Sequence, residues 1–354
     1  MKAVVVEGRG QVALKTVPTP QPAPGTIIVK VSHVALNPTD WKHIDYFGRT
    51  GALAGSDFSG TVVALGDGAG GAVSEGDRVS GTVHGGWYEG VGAFAEYVQT
   101  VPTRLTALPE SISDADGAGL GVGGLTAIFA LFQDKHLGLP FPPLPPAAPA
   151  QVDASKKLLV WSGASSVGQF AVQLGRLAGL YVIATSSPKN FDMLKGLGAA
   201  ETYSYADEKT PEAIAAAHPD LAYAFDTFSE KGSQEACARA LRKDGARLTV
   251  ILGPSPKVHE LNPSVKLTFA LLYSIEGHEL NMYGVHLDEA YCKQDAAYAD
   301  KLQSGRGLYY QLLAAGLRPN RSALQPGGIA GIADGLQKHR TGQVSGEKLI
   351  FKIE

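Results

Sequence analysis

The segment Leu158-Leu159-Val160-Trp161-Ser162-Gly163-Ala164-Ser165-Ser166-Val167-Gly168 constrains this chain most, because it runs directly into Gln169-Phe170-Ala171-Val172-Gln173-Leu174. A short apolar run that ends in small residues and passes at once into a helical pattern predicts strand, turn and helix. Backbone N–H groups at such a helix start can hold a pyrophosphate. The glycines are Gly163 and Gly168 rather than a full G-x-G-x-x-G, and small-residue turns also serve as plain connectors, so the context has to decide. It is periodic. A strand at 181–185 precedes a helix at 191–197, and Gly198 to Tyr205 carry a third strand. An Ala-rich helix at 212–217, a strand at 221–225, a helix at 234–242 and a strand at 247–252 follow. Strands alternating with helices at this spacing predict an α/β domain with a doubly wound parallel sheet.

The second strand ends in Ser186-Ser187-Pro188-Lys189-Asn190 rather than in a carboxylate. An acid there would bind the ribose 2′-hydroxyl of NAD and repel a 2′-phosphate, which Ser, Lys and Asn accept. The expected cofactor is therefore NADPH. Ser165, Ser166, Val167 and Gly168 would hold its pyrophosphate, and Ser187, Pro188, Lys189 and Asn190 its 2′-phosphate, helped by Tyr205. Leu252 and Gly253 close a later strand at the carboxyl edge, where ligands of open α/β sheets lie. A solvated loop lysine is the plain alternative for Lys189.

Composition removes other classes. Across 354 residues the hydrophobic content is 44%, the charged content 18% and the net charge −3, which predicts a globular protein without a nucleic-acid or membrane-binding face. No apolar stretch reaches the ~18 residues of a membrane span. The N-terminal run Met1 to Glu7 meets an acid too early for a signal peptide, so a cytoplasmic location is expected. Cys237 and Cys292, the two cysteines, make neither a disulfide framework nor a structural zinc site.

The first 150 residues have another texture, with short β-type runs at 25–31, 60–66, 76–81 and 92–98 separated by Gly/Pro turns. They predict a compact, partly barrel-like β domain. The proline-rich run from Leu139 to Pro146 breaks regular structure, and 139–155 is expected to be an extended connection. Helices are expected at 309–317 and 329–339, and the final strand from Lys348 to Ile353 would return to the first domain. The expected division is 1–150 with 300–354, and 151–299 for the nucleotide domain.

This order resembles the medium-chain dehydrogenase/reductase superfamily over essentially the whole chain, which implies a GroES-like β-rich catalytic domain beside a Rossmann domain. Landmarks are Gly55-Ser56-Asp57-Phe58-Ser59-Gly60, Gly76-Asp77-Arg78-Val79, Gly92-Ala93-Phe94-Ala95-Glu96-Tyr97 and Ser345-Gly346-Glu347-Lys348-Leu349. Zinc alcohol dehydrogenases of that superfamily place Cys where this chain has Asn37 and His-Glu where it has Ser56-Asp57, and they carry a four-cysteine lobe that is absent here. The resemblance therefore implies a metal-free branch. Asn37-Pro38-Thr39-Asp40-Trp41-Lys42, Ser187-Pro188-Lys189-Asn190-Phe191-Asp192, Val83-His84-Gly85-Gly86 and the proline-rich run are similar to the trans-acting enoyl reductases of fungal polyketide assembly lines.

That likeness implies reduction of an α,β-double bond on a chain carried by the acyl carrier protein of a polyketide synthase, by a monomer or homodimer. It implies Pro38, Thr39, Asp40 and Trp41 at the nicotinamide end, with Lys42 as donor to the enolate or cofactor anchor and Tyr46 as a second proton donor. Val344 and Ser345 would close over the nicotinamide. Gly121, Val122, Gly123, Gly124, Leu125, Thr126, Ala127 and Ile128 open a helix whose glycines would admit the acyl or pantetheine arm, tight helix packing being the alternative. Glu276, Gly277, His278, Glu279 and Leu280 fall where relatives meet the acyl chain. Quinone or enone reduction on free molecules, and a non-catalytic NADPH-binding protein, are the competing functions.

Overall fold

The computed structural model describes residues 1–353 apart from Pro146 and Pro149. Its strands, in chain order, are β1 (Lys2–Gly8), β2 (Gln11–Thr16), β3 (Ile27–Ala35), β4 (Asp57–Leu65), β5 (Arg78–Thr82), β6 (Tyr97–Thr100) and β7 (Leu105–Ala107). They continue as β8 (Asp153–Trp161), β9 (Leu180–Ser186), β10 (Glu201–Ser204), β11 (Tyr223–Asp226), β12 (Arg247–Val250) and β13 (Lys266–Phe269). The last are β14 (Leu280–Met282), β15 (Val285–Leu287), β16 (Ser322–Gln325) and β17 (Lys348–Lys352). Two compact units result: Met1–Val122 with residues 294–354, and Gly123–Lys293.

The first unit is built on a curled seven-stranded sheet in the order β16-β17-β3-β4-β5-β7, with β6 also paired to β3. The long β3 slips in register with β4 at Ile28/Val29 and Val31/His33. Such slips increase local twist and let a sheet curl. Val29, Val34, Phe58, Val79, Phe94 and Phe351 fill one core. The final strand β17 pairs antiparallel with β3, Ile350 opposite Ala35.

The run 92–98 behaves differently from its sequence pattern. Regular strand begins only at Tyr97, and the preceding residues stitch other segments together instead. The Val4 N–H donates to Phe94 O at 2.8 Å, and the Ala93 N–H to Gly55 O at 2.8 Å. A Cβ on Gly92 would lie 2.3 Å from Leu53 O, so this close backbone crossing requires glycine.

The second unit carries six parallel strands in the order β10-β9-β8-β11-β12-β13. This is the doubly wound arrangement, with its switch point between β8 and β11, where the two halves wind in opposite directions. Leu158, Leu159, Val160 and Trp161 are buried, as a central parallel strand covered on both faces must be. The connection before this strand is shorter than expected. It ends at Val152, because the Asp153 N–H donates to Gly179 O at 2.8 Å and Asp153 pairs with Leu180; Pro146, within it, lies outside the described residues. No helix among the described residues is long and apolar enough to cross a membrane. Both cysteines are buried free thiols.

Candidate active site

The turn after β8 has the geometry of a phosphate-binding element. Ser162 holds φ 60°, a left-handed conformation that costs a non-glycine residue about 1 kcal/mol or more. Ser165 then caps the helix Ser166–Leu177, its Oγ accepting the Gly168 N–H at 2.9 Å. A Cβ on Gly168 would fall 2.5 Å from Ser162 O and 2.7 Å from Gly163 Cα, so glycine is what lets the helix sit tight on the turn. Ala164 to Val167 stay half-buried, leaving the helix start accessible to an anion. Across the switch point, Thr227 lies 2.8 Å from Ser165 Oγ and donates to Trp161 O at 2.8 Å. Thr227 was not anticipated; its signal was only a small polar residue directly after a parallel strand.

At the end of β9, Ser187 is half-buried, Pro188 and Lys189 are exposed, and the Asn190 Nδ2 donates to Ser187 Oγ at 3.2 Å. The Tyr205 N–H reaches Ser186 O at 3.4 Å, which brings the exposed Tyr205 to the same corner. The first carboxylate after the strand is Asp192, exposed and already inside the next helix. These residues fit a phosphorylated ribose, since donors and a cation occupy the strand end. Further along, the Gly253 O accepts Gln234 Nε2 at 3.0 Å, and Leu252 beside it is half-buried.

In the first unit, Asn37 leaves β3 in extended conformation and starts the short helix Pro38–Lys42. Proline suits the first helical position, where its missing N–H is not needed. Asp40 Oδ2 accepts the Asn37 N–H at 2.6 Å and Oδ1 accepts the Ser56 hydroxyl at 3.0 Å. Burial pushes the Asp40 carboxyl up to about 7; the Asn37 N–H opposes that rise, Asp57 adds to it, and Lys348 and Ser56 oppose it. Lys42 is 7% exposed, with its Nζ 5.7 Å from the Trp41 ring centroid. Tyr46 is 51% exposed and its ring lies 6.1 Å from that of Trp41. Val344 is half-buried against the core of this unit and Ser345 is exposed.

The helix Pro38–Lys42 runs on as a single π-helical turn, His43–Phe47, a distortion common at functional sites. It aligns two buried imidazoles, His43 Nε2 lying 3.1 Å from His84 Nε2. The Thr39 carbonyl 2.8 Å from His43 Nδ1 can only accept, so Nδ1 carries the proton, Nε2 accepts, and His84 donates. His84 stacks on Trp87 at 5.1 Å, and the Arg49 guanidinium caps that indole at 3.8 Å. Burial lowers His43 to about 4, with Arg49 adding to the fall against the Thr39 carbonyl. Burial, His43 and Arg49 hold His84 well below 6.5.

These shifts give a pH dependence. The unfolded chain protonates His43, His84, His136 and His339 as pH falls through 6.5, but the folded chain resists, burial holding His136 to about 3 and His339 to about 4. Their contribution to stability is present above 6.5 and is lost as pH falls towards the folded values. Asp40 and Asp226, raised mainly by burial to about 7 and about 6, act oppositely, their contribution being lost as pH rises. These four histidines outnumber the two carboxyls, so stability is expected to fall by roughly 2 kcal/mol per pH unit between about pH 6 and 4.5. Thermal melts across that range check it; a flat or inverted profile would refute the sign.

The glycines at 121 and 123 admit groups of the protein itself. A Cβ on Gly121 would lie 2.2 Å from Asp57 Oδ1, and one on Gly123 2.5 Å from Ser166 Oγ. Leu125, Ala127 and Ile128 are fully buried and Thr126 nearly so, while Val122 is half-buried. In the segment 276–280, Gly277 and Leu280 are buried, Glu276 is half-buried, and His278 and Glu279 are exposed.

A curled GroES-like half-barrel and a parallel sheet with this nucleotide-type turn define the class of the medium-chain dehydrogenases. Residues 23–110 match the alcohol dehydrogenase GroES-like domain, and 166–293 the zinc-binding dehydrogenase domain. The trans-enoyl reductase ACTTS2 of Alternaria alternata is 35% identical, covering 100% of this chain and 99% of its own. The trans-enoyl reductase RAP2 of Pyricularia oryzae is 36% identical, covering 99% and 98%. Among solved structures, CurK enoyl reductase superposes with TM-score 0.72 at 18% identity, covering 99% of this chain and 98% of that one. A mycobacterial protein complexed with NADPH superposes with TM-score 0.73 at 18% identity, covering 99% and 100%. The chain belongs to the medium-chain dehydrogenase/reductase superfamily and, within it, to the trans-enoyl reductases.

The zinc in one domain's name does not fit these residues. Among the described residues no group of three or more His, Cys, Asp or Glu could hold a metal ion. The Asn37 carboxamide and the Asp57 carboxylate instead share a lysine ammonium, that of Lys348.

Proposed function

We propose that this protein is an NADPH-dependent, trans-acting enoyl reductase that saturates the α,β-double bond of an enoyl thioester carried by the acyl carrier protein of a polyketide synthase. Full-length likeness to proteins named trans-enoyl reductases carries the reading; the strand end at 186–190, without a carboxylate, favours the phosphorylated nucleotide.

When bound, NADPH would supply the hydride for the β-carbon. The chain's own residues do the rest. Ser165, Ser166, Val167 and Gly168 hold the pyrophosphate at the helix start. Ser187, Pro188, Lys189, Asn190 and Tyr205 take the 2′-phosphate, and Leu252 and Gly253 border the nucleotide. Pro38, Thr39, Asp40 and Trp41 form the wall at the reacting end, with Val344 and Ser345 closing it. Negative charge develops on the thioester oxygen as the double bond is reduced. Lys42 donates to that oxygen, the type of preorganised electrostatic contribution that often dominates catalysis. Tyr46 is the second proton donor, and the α-carbon takes its proton from it or from water. The acyl or pantetheine arm meets the segment 276–280, where Glu276, His278 and Glu279 offer the accessible side chains. The working location is the cytoplasm, beside the synthase.

Single-turnover oxidation of NADPH by a crotonyl thioester on pantetheine or carrier protein, run beside a free quinone, tests the reading. Rapid oxidation by the thioester with little by quinone is the expected result. The reverse assigns the chain to reduction of free quinones, and tight NADPH binding with no oxidation by either, even on carrier protein, refutes the reductase.

A further inference from the structure

The first unit contains a buried ion pair that the proposed chemistry does not use. Lys348, on β17, is 2% exposed and Asp57, on β4, is fully buried, with the ammonium 3.4 Å from Asp57 Oδ2. The same ammonium donates to Asn37 Oδ1. Asn37 in turn donates from Nδ2 to Asp57 Oδ2 at 2.8 Å, and Asp57 Oδ1 accepts the Val122 N–H at 2.7 Å. Lysine is donor-only and carboxylate acceptor-only, so the carboxamide of Asn37 is held in one orientation. The backbone N–H of that residue is tied to Asp40, which is tied to Ser56. A chain of hydrogen bonds therefore runs from the C-terminal strand to the turn that presents Trp41 and Lys42.

Burying an ammonium and a carboxylate costs several kcal/mol of desolvation, and an apolar pair of similar volume is often as stable. Fold stability alone is a weak account of such a pair. A registry role for the turn it holds accounts for the pair's place and partners.

We propose that Lys348 is a positioning residue for the reduction assigned above, its ammonium clamping Asn37 and so fixing the 37–42 turn at the reacting end. The inference rests on that reading for its kinetic consequence but not for its structural one. Lys42 touches the reacting atoms under that reading; Lys348 acts only through Asn37.

The test uses the full chain with Lys348→Met and, because one uncompensated buried charge can prevent folding, the double variant Asp57→Asn/Lys348→Met. Two readouts are taken: kcat and KM with the crotonyl thioester, and the Trp41 emission, obtained by difference from the matching Trp41→Phe proteins. In the double variant, kcat is expected to fall about 100-fold, the cost of a misplacement of order 1 Å. Trp41 emission should shift to the red as the turn loosens. A double variant with the parent's kcat overturns the proposal, whether or not its Trp41 emission moves. If the unmodified protein reduces no thioester, the functional reading has failed instead, and Trp41 emission alone decides: a red shift supports the clamp, and none overturns it.

Discussion

Replacing Lys42 with methionine is expected to lower kcat for enoyl thioester reduction by about 100- to 1000-fold, the range seen when one donor to a developing oxyanion is removed. The side chain is 7% exposed, on the last residue of a helix whose start is pinned by Asp40. An ammonium kept from water interacts strongly with charge that appears during reaction, because nearby solvent no longer screens it. Methionine keeps most of the packing volume beside Trp41 and removes only the charge. A purely structural lysine would therefore appear as a lowered melting temperature with kcat retained, and that outcome would remove Lys42 from the chemistry. Alanine in the same place would add a cavity and blur the distinction.

The second large effect is expected at Lys189. Charge reversal, Lys189→Glu, should weaken NADPH binding by roughly 100-fold, as loss of a charge-assisted hydrogen bond and its replacement by repulsion require. NADH binding should be little changed. Lys189 is exposed on the short turn after β9, next to the Asn190–Ser187 hydrogen bond, so its substitution disturbs no core. Fluorescence titrations with the two nucleotides at one ionic strength make the comparison, since exposed charges are screened by salt. Equal weakening of both would mean that the lysine does not meet the 2′-phosphate.

What could be read before the fold was known is local. The strand, turn and helix from Leu158 to Leu174 lie within one stretch of chain, and their signal is periodicity plus glycine. The lack of a carboxylate after Ser186 is likewise a property of five neighbouring residues. Element edges are less local. The run 92–98 alternates like a strand, yet at Gly92 and Ala93 the backbone crosses Leu53 and Gly55, an arrangement that depends on partners some forty residues earlier. The glycines at 121 and 123 were legible as places of close approach. What approaches, Asp57 and Ser166, was not.

The same division separates the halves of the candidate site. Sequence by itself determined that a parallel sheet of strands alternating with helices would form, that the end of its second strand would carry lysine and amide instead of acid, and that the turn 37–42 would hold no thiolate. Those properties depend on residue type and near spacing, which a linear chain displays openly. Only the tertiary structure decided that Lys348 would meet Asn37, 311 residues away in sequence, that Thr227 would tie the switch point, and that His43 and His84 would share one proton-ordered contact. Each of these partners is a polar group drawn out of water by folding. Which groups must satisfy one another is set by what the fold buries together, not by their order along the chain.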